Sequence, residues 1–355
     1  MNNKLKLIAG TCFLFAYITY GSQLIPYRKG KLWGYCDKSG IIVIPCKYSL
    51  AKPLSEGIAV IQEQKDKKIL TGYLLQSGNI TLDSMCSYAR SFSEKMSAIK
   101  IKKKWGFKDI NLKVVIKPSY NSVGDFSDGL AKVSVAGKFG FIDRNGKTVI
   151  PLIYQSARNF KNGLAAVKKN EKWGVIDKSN NTVIKFIYYN IGYFSEGLTP
   201  VQFENKKWGF INKAGEITIK PIYNLARNFS EGLAVVQNQR NQCGCIDKNG
   251  KTKIPFHYLN IRSFSNGLAV AEIVGFKFGF INKKGEMVIP FKYNEALPFC
   301  DGIARVWSKL IKKKIGKGQL HTPAGGGYIN LKGKEYWQES SRSGSVVRSG
   351  SVLGC

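Results

Sequence analysis

An aromatic residue followed by glycine recurs along the chain at Trp33-Gly34, Trp105-Gly106, Phe139-Gly140, Trp173-Gly174, Trp208-Gly209 and Phe278-Gly279. Cys243-Gly244 stands in the same register, a degenerate copy carries Thr71-Gly72, and a last one carries Gly326-Gly327. From Trp105 to Phe278 the copies are 34 or 35 residues apart. A fixed period of this size marks an array of one supersecondary unit, and such a unit cannot bury its apolar surface alone. The chain is therefore a single array rather than a set of independent domains.

The copy around Trp208 shows what the unit is. Trp208-Gly209-Phe210-Ile211-Asn212 is short, aromatic and β-branched, which suits a strand. Lys213-Ala214-Gly215 follows, with Arg144-Asn145-Gly146 and Lys248-Asn249-Gly250 in sister copies, and residues of this kind tolerate the positive φ of a tight hairpin turn. Glu216 to Ile219 reads as the return strand, stopped at Pro221, which has no amide to donate. Residues 222–229 fit either a third extended piece or one helical turn. Ser230-Glu231-Gly232 is a second turn, and Leu233 to Gln237 is a strand leading to the next copy.

Both faces of these strands are apolar. A sheet wetted on one side alternates apolar with polar residues, so here each sheet must be covered on both sides, most simply by its neighbours. Such packing predicts large side chains of one unit lying on glycine and alanine of the next, and gives the glycine after each aromatic a reason: no Cβ to hold off the adjoining layer. The expected fold is all-β, a closed propeller-like array of about eight antiparallel meanders, with an open curved β-solenoid as the alternative.

Residues 1–22 lie outside the repeats. Lys4 and Lys6 precede an apolar run from Leu7 to Ile18, with small residues Thr19 and Gly21 before a cleavage point, which reads as a secretory signal peptide and hence an exported protein. The array then runs over 23–337, with an insertion at about 309–325 containing Lys312-Lys313-Lys314. Residues 338–355, rich in serine and glycine, read as a disordered tail.

The pattern aromatic-Gly-aromatic-Ile-Asp/Asn-Lys-x-Gly-Lys, then Ile-Pro, Tyr and Phe-Ser-Glu-Gly-Leu-Ala, resembles the WG (or KWG) repeat family. Lys104-Trp105-Gly106-Phe107, Lys172-Trp173-Gly174-Val175 and Lys207-Trp208-Gly209-Phe210 carry the motif behind that name. The resemblance covers about residues 23–336 and implies a β-rich repeat protein that mediates binding; it brings no catalytic residues with it.

The side chains point away from chemistry. His257 and His321 are the only histidines, and no carboxylate pair recurs outside turns. Glu56, Glu94, Asp128, Glu196, Glu231 and Asp301 each precede the turn glycine position, held by Lys95 after Glu94, where a carboxylate accepts from local amides. The eight cysteines form no Cys-x-x-Cys pair; Cys36, Cys243 and Cys245 stand at apolar positions of the repeat and read as core residues. No catalytic residue, metal site or cofactor is expected, and no defined disulfide framework. Basic residues are the one recurring polar signal, with a formal net charge of +32. Lys104, Lys138, Lys172, Lys207 and Lys277 precede the aromatic; Lys38, Arg144, Lys178, Lys213, Lys248 and Lys283 follow the turn Asp or Asn. In a stacked array each series becomes a stripe that attracts polyanions. The function expected is a non-enzymatic binding module for a protein or an anionic polymer such as a surface glycan or nucleic acid. The alternatives are an envelope hydrolase using the insertion, and a purely structural envelope protein.

Overall fold

The computed structural model describes residues 24–338, apart from 66–67, 276 and 316–317. The expected signal segment, and the expected tail beyond Gln338, lie outside the described residues. Every element is a β-strand. A regular unit has four: a two-residue edge strand (Ser122–Val123 in one copy), a second strand (Ala131–Val135), a third that opens on the lysine-aromatic-glycine motif (Lys138–Ile142), and a longer fourth (Thr148–Tyr154). All pair antiparallel in chain order. The ambiguous stretch at 222–229 is extended and holds the edge strand Leu225–Ala226. Seven units are separate four-stranded sheets, and the first and last share one seven-stranded sheet. That makes nine units among the described residues, one for each of the nine copies read from the sequence, the first of them built on the three strands of residues 25–48.

The array is closed. Nine apolar clusters occupy the described residues, one at each junction between consecutive units. An open array of nine would have eight junctions. The ninth cluster joins Ile303 and Tyr336 of the last unit to Ile25 and Cys36 of the first. Among the described residues the first unit has no edge strand of its own, and the last strand, Glu335–Gln338, lies there: Trp337 and Gln338 pair in parallel with Arg28 and Lys29. The Gly30 amide bonds the Gln338 carbonyl at 2.8 Å, and Lys334 Nζ reaches the carbonyls of Lys38 and Ser39.

Each regular junction packs the apolar face of one sheet on that of the next, large side chains and alanines together. Phe210, Ile219 and Tyr223 of the sixth unit meet Ala226, Phe229, Ala234, Val236 and Ile246 of the seventh. Phe210 and Ile246 are fully buried. Cys36, Cys243 and Cys245 are buried, as expected of core residues, and burial pushes the Cys36 and Cys245 thiols up to about 12.

Two expectations are corrected. The motif glycine does not make room for the neighbouring layer. A Cβ on Gly209 would lie 2.5 Å from the Ile219 carbonyl oxygen and 2.9 Å from the Pro221 nitrogen, and one on Gly140 would meet Ile150 and Pro151. Those atoms belong to the fourth strand of the same unit. That strand bulges just after Ile219 and Ile150, where its pairing register shifts, and folds over the glycine. Nor is the motif tryptophan core in every unit: Trp33 is buried, but Trp105, Trp173 and Trp208 are only partly so.

Candidate functional site

The second strand of each unit runs from the Ser-Glu-Gly turn to the hairpin before the aromatic, and the third runs back. The Ser-Glu-Gly turns and the Asp/Asn-Lys-x-Gly turns therefore gather at one end of the ring. The hairpins joining second to third strands gather at the other.

At the turn end, charge is spent on joining units. Glu231 and Gly232 both have positive φ, 55° and 88°, as a two-residue hairpin of this hand requires. Glutamate is a poor residue for that conformation, but its carboxylate is engaged across the junction. Glu94, Asp128, Glu196 and Glu231 accept from the amides of Gly129, Gly163, Gly232 and Gly267, each in the next unit. These carboxylates do not cap local amides, as the sequence suggested, but bond amides some 35 residues on. Beside them Ser230 and Ser265 donate at 2.7 Å to the carbonyls of Phe264 and Phe299 in the following unit. The second basic series closes the pattern: Arg144, Lys248 and Lys283 pair with Glu94, Glu196 and Glu231 of the preceding unit at 3.0, 3.2 and 3.3 Å. Burial alone would raise the Glu196 pKa, but the Gly232 amide, Lys248 and the Glu231 amide outweigh it and hold the group below the usual range. The turn Asp or Asn is local: Asp143 accepts from the amides of Asn145 and Lys147 at 2.9 Å.

The hairpin end carries the first basic series. Lys104, Lys138, Lys172, Lys207 and Lys277 stand at equal positions, where the third strand begins or one residue before it. They occupy the third to sixth units and the eighth; Gln242 interrupts the row in the seventh. Lys104 and Lys138 are exposed. Lys172 lies 3.5 Å from the ring centre of Tyr189, while Lys207 and Lys277 donate at 2.6 Å to Asn224 and Asn294. Those partners are neutral, so the charges remain unmatched. Lys29, Lys31, Lys65, Lys68, Lys102, Lys103, Lys169, Lys206 and Arg240 add to this end. The described acids in or beside its hairpins are Glu63, Glu171, Glu204 and Glu272. The insertion also projects from a hairpin, that of the ninth unit, as two paired strands, Lys309–Ile315 and Gly318–Ala324.

A third set of cations was not singled out from the sequence. Arg90, Arg158, Arg227 and Arg262 each follow an edge strand and reach toward the next unit, to Asp125, Asn190, Asn260 and Glu295. Two lie on aromatic rings: Arg90 is 4.9 Å from the centre of Trp105, and Arg158 is 5.2 Å from that of Trp173. Lys132 sits near two of them; burial first, then the charges of Arg158 and Arg90, lower its pKa. At the closing junction Arg305 lies over Trp33, Trp307 and Tyr328, and burial lowers its pKa to about 10. The recurring Ala-Arg pair at 89–90, 157–158 and 226–227 was the available signal. His257 is exposed on a fourth strand, and among the described residues no three metal-binding side chains come together.

A family model described as WG containing repeat matches residues 33–67, 72–105, 105–139, 139–173, 173–206, 208–241, 244–273 and 278–306. No curated protein matches the chain. Among solved structures, the computationally designed protein Ika8 is similar with a TM-score of 0.49 and 12% identity, over 81% of this chain and 96% of that one. BamB from Moraxella catarrhalis gives 0.42 and 11%, over 75% and 90%. Hsv2p of Kluyveromyces lactis gives 0.40 and 9%, over 80% and 99%.

Proposed function

The chain belongs to the WG repeat family, and from the layout of its charges we propose that it is a non-catalytic binding module whose hairpin end holds an acidic polysaccharide outside the cytoplasm. The observation that carries this reading is the contrast in acids. At the turn end Arg144, Lys248 and Lys283 are answered by carboxylates of the preceding unit, whereas the hairpin end repeats lysine with few acids beside it. Equivalent positions on a ring present those lysines together, so one extended polymer engages several weak contacts at once. The segment with Lys4, Lys6 and the apolar run after it supports the exported location in this reading.

The test is binding of purified protein to dextran sulfate and to neutral dextran at several salt concentrations. The reading expects binding to the sulfated polymer alone, falling steeply with salt as polymer counterions are displaced. Absence of binding, or binding indifferent to salt, would overturn it and leave a neutral protein partner as the better reading.

A further inference from the structure

The nine units are copies, so each serves as a control for the others, and one of them differs at the hairpin end. In the third unit, Ser87, Tyr88, Arg90, Lys100, Lys102 and Trp105 line an open cleft of about 540 Å³. Three of the six are cations and none is an acid. Arg90 and Lys100 lie 4.9 and 5.6 Å from the Trp105 ring centre, and Lys52 of the second unit lies 5.0 Å from that of Tyr88. Asp125, from the fourth unit, touches Arg90 at 3.3 Å with both side chains partly exposed.

The fifth unit has the same frame. Ser156 pairs with Lys168 as Tyr88 does with Lys100, and Arg158 lies on Trp173 as Arg90 does on Trp105. There, however, Asn170 replaces Lys102 and Glu171 replaces Lys103. Glu171 pairs with Lys168 and accepts from the Gln155 amide at 2.6 Å, so a carboxylate of the chain already satisfies that position. The third unit has the cations and lacks the carboxylate.

We infer that the third-unit cleft is an anchoring subsite for a tetrahedral oxyanion, a sulfate or phosphate group carried by a sugar polymer. This rests on the polyanion reading above and sharpens it from a surface to a place. The rings carry cations on their faces, which leaves no flat aromatic surface for a nucleobase to stack on; what the cleft offers is charge held in position by the rings. A guanidinium with two ammonium groups suits an acceptor with several oxygens directed to different sides.

The experiment compares two double variants and one transplant, with affinity measured for dextran sulfate, phosphomannan and alginate and with thermal melts confirming the fold. Lys100→Gln with Lys102→Gln should weaken the sulfated or phosphorylated polymer about tenfold, as loss of roughly one charged hydrogen bond would. Which polymer loses more identifies the source of the oxyanion, and alginate, with planar carboxylates, should lose least. Lys169→Gln with Lys206→Gln removes equal charge from the same end outside any such cleft and should cost less than about twofold. Asn170→Lys with Glu171→Lys should build a second cleft in the fifth unit and tighten binding severalfold, a readout that stands even if the first variant fails to fold. Equal losses in the two double variants, or no gain from the transplant, would overturn the subsite while leaving the general reading intact. Failure of the unmodified protein to bind any of the three polymers would overturn both.

Discussion

The two ends of the ring are both rich in lysine and arginine, yet they use them differently. At the turn end a cation has a carboxylate of the preceding unit within reach, and that carboxylate also holds a backbone amide: Lys248, Glu196 and Gly232 form one such set, Lys283, Glu231 and Gly267 another. At the hairpin end the equivalent lysines meet a tyrosine ring or a neutral amide oxygen. The difference teaches that net charge is a poor guide to what a basic repeat protein binds. Part of the recurring basic signal, at Arg144, Lys248 and Lys283, is structural and joins one unit to the next.

The contrast can be broken or sharpened in four ways. The greatest loss is expected between the two ends, where neither charge system acts. Gly209→Val places a branched side chain against the Ile219 carbonyl and the Pro221 nitrogen. It should cost about 3 kcal/mol or more, the upper range for overpacking against backbone, read as a drop in denaturation midpoint. A stability equal to wild type would mean the bulge can move aside. At the turn end, Glu231→Val removes the bond to the Gly267 amide and forces a β-branched residue to φ 55°. A loss of about 2 kcal/mol is expected, while Glu231→Asn, the residue that stands at 162 and 266, should cost under about 1. If both cost the same, the conformation and the bond have been wrongly separated.

Acid should weaken the turn end first. Glu196 has a lowered folded pKa, so its contribution is complete above its ordinary value of 4.5 and is lost as pH falls through the lower folded value. Chemical denaturation from pH 6 to pH 3 should show that loss, and Glu196→Gln should flatten it; an unchanged slope would remove Glu196 from the account. The smallest effect belongs to the hairpin end. Lys138, Lys172 and Lys207 replaced together by glutamine should shift stability by less than about 0.5 kcal/mol while weakening dextran sulfate binding. A large loss of stability there would make the two ends alike and dissolve the contrast.

Much of the array was legible because its causes are local. Asn249-Gly250 and Ser230-Glu231-Gly232 announce turns by their own backbone preferences, and the paired apolar faces of residues 208–211 and 233–236 demand neighbours on both sides. What was misjudged involves partners that sequence pattern leaves unnamed. The carboxylate of Glu196 has amides nearby in the chain, yet the one it bonds, Gly232, is 36 residues away. Gly209 was assigned to the neighbouring layer because close approach was evident, while the bulge that creates it depends on how the fourth strand pairs. The lysines before the aromatic were recognised as one series. Their separation from the turn series became visible only once strand direction had put the two at opposite ends. The arginines after the edge strands escaped notice because the position varies: Gly124 and Gly192 stand there in other copies.

The parallel pairing of Trp337 and Gln338 with Arg28 and Lys29 has a consequence for connectivity. Once the last strand lies beside the first, no unit occupies a privileged end, and each has a neighbour on both faces. The order in which the polypeptide visits the units is then separable from the shape they make together. A circularly permuted chain, cut at the exposed hairpin of Ala136 and Gly137 and joined between 338 and 24 by a flexible bridge, would present the same nine junctions. In the natural connectivity, bringing those two strands together closes a loop of some 300 residues, and the entropic cost of closure grows only logarithmically with that length. Assembly can therefore proceed from one sheet to the next along the chain and shut the ring last, with the final strand acting as its clasp.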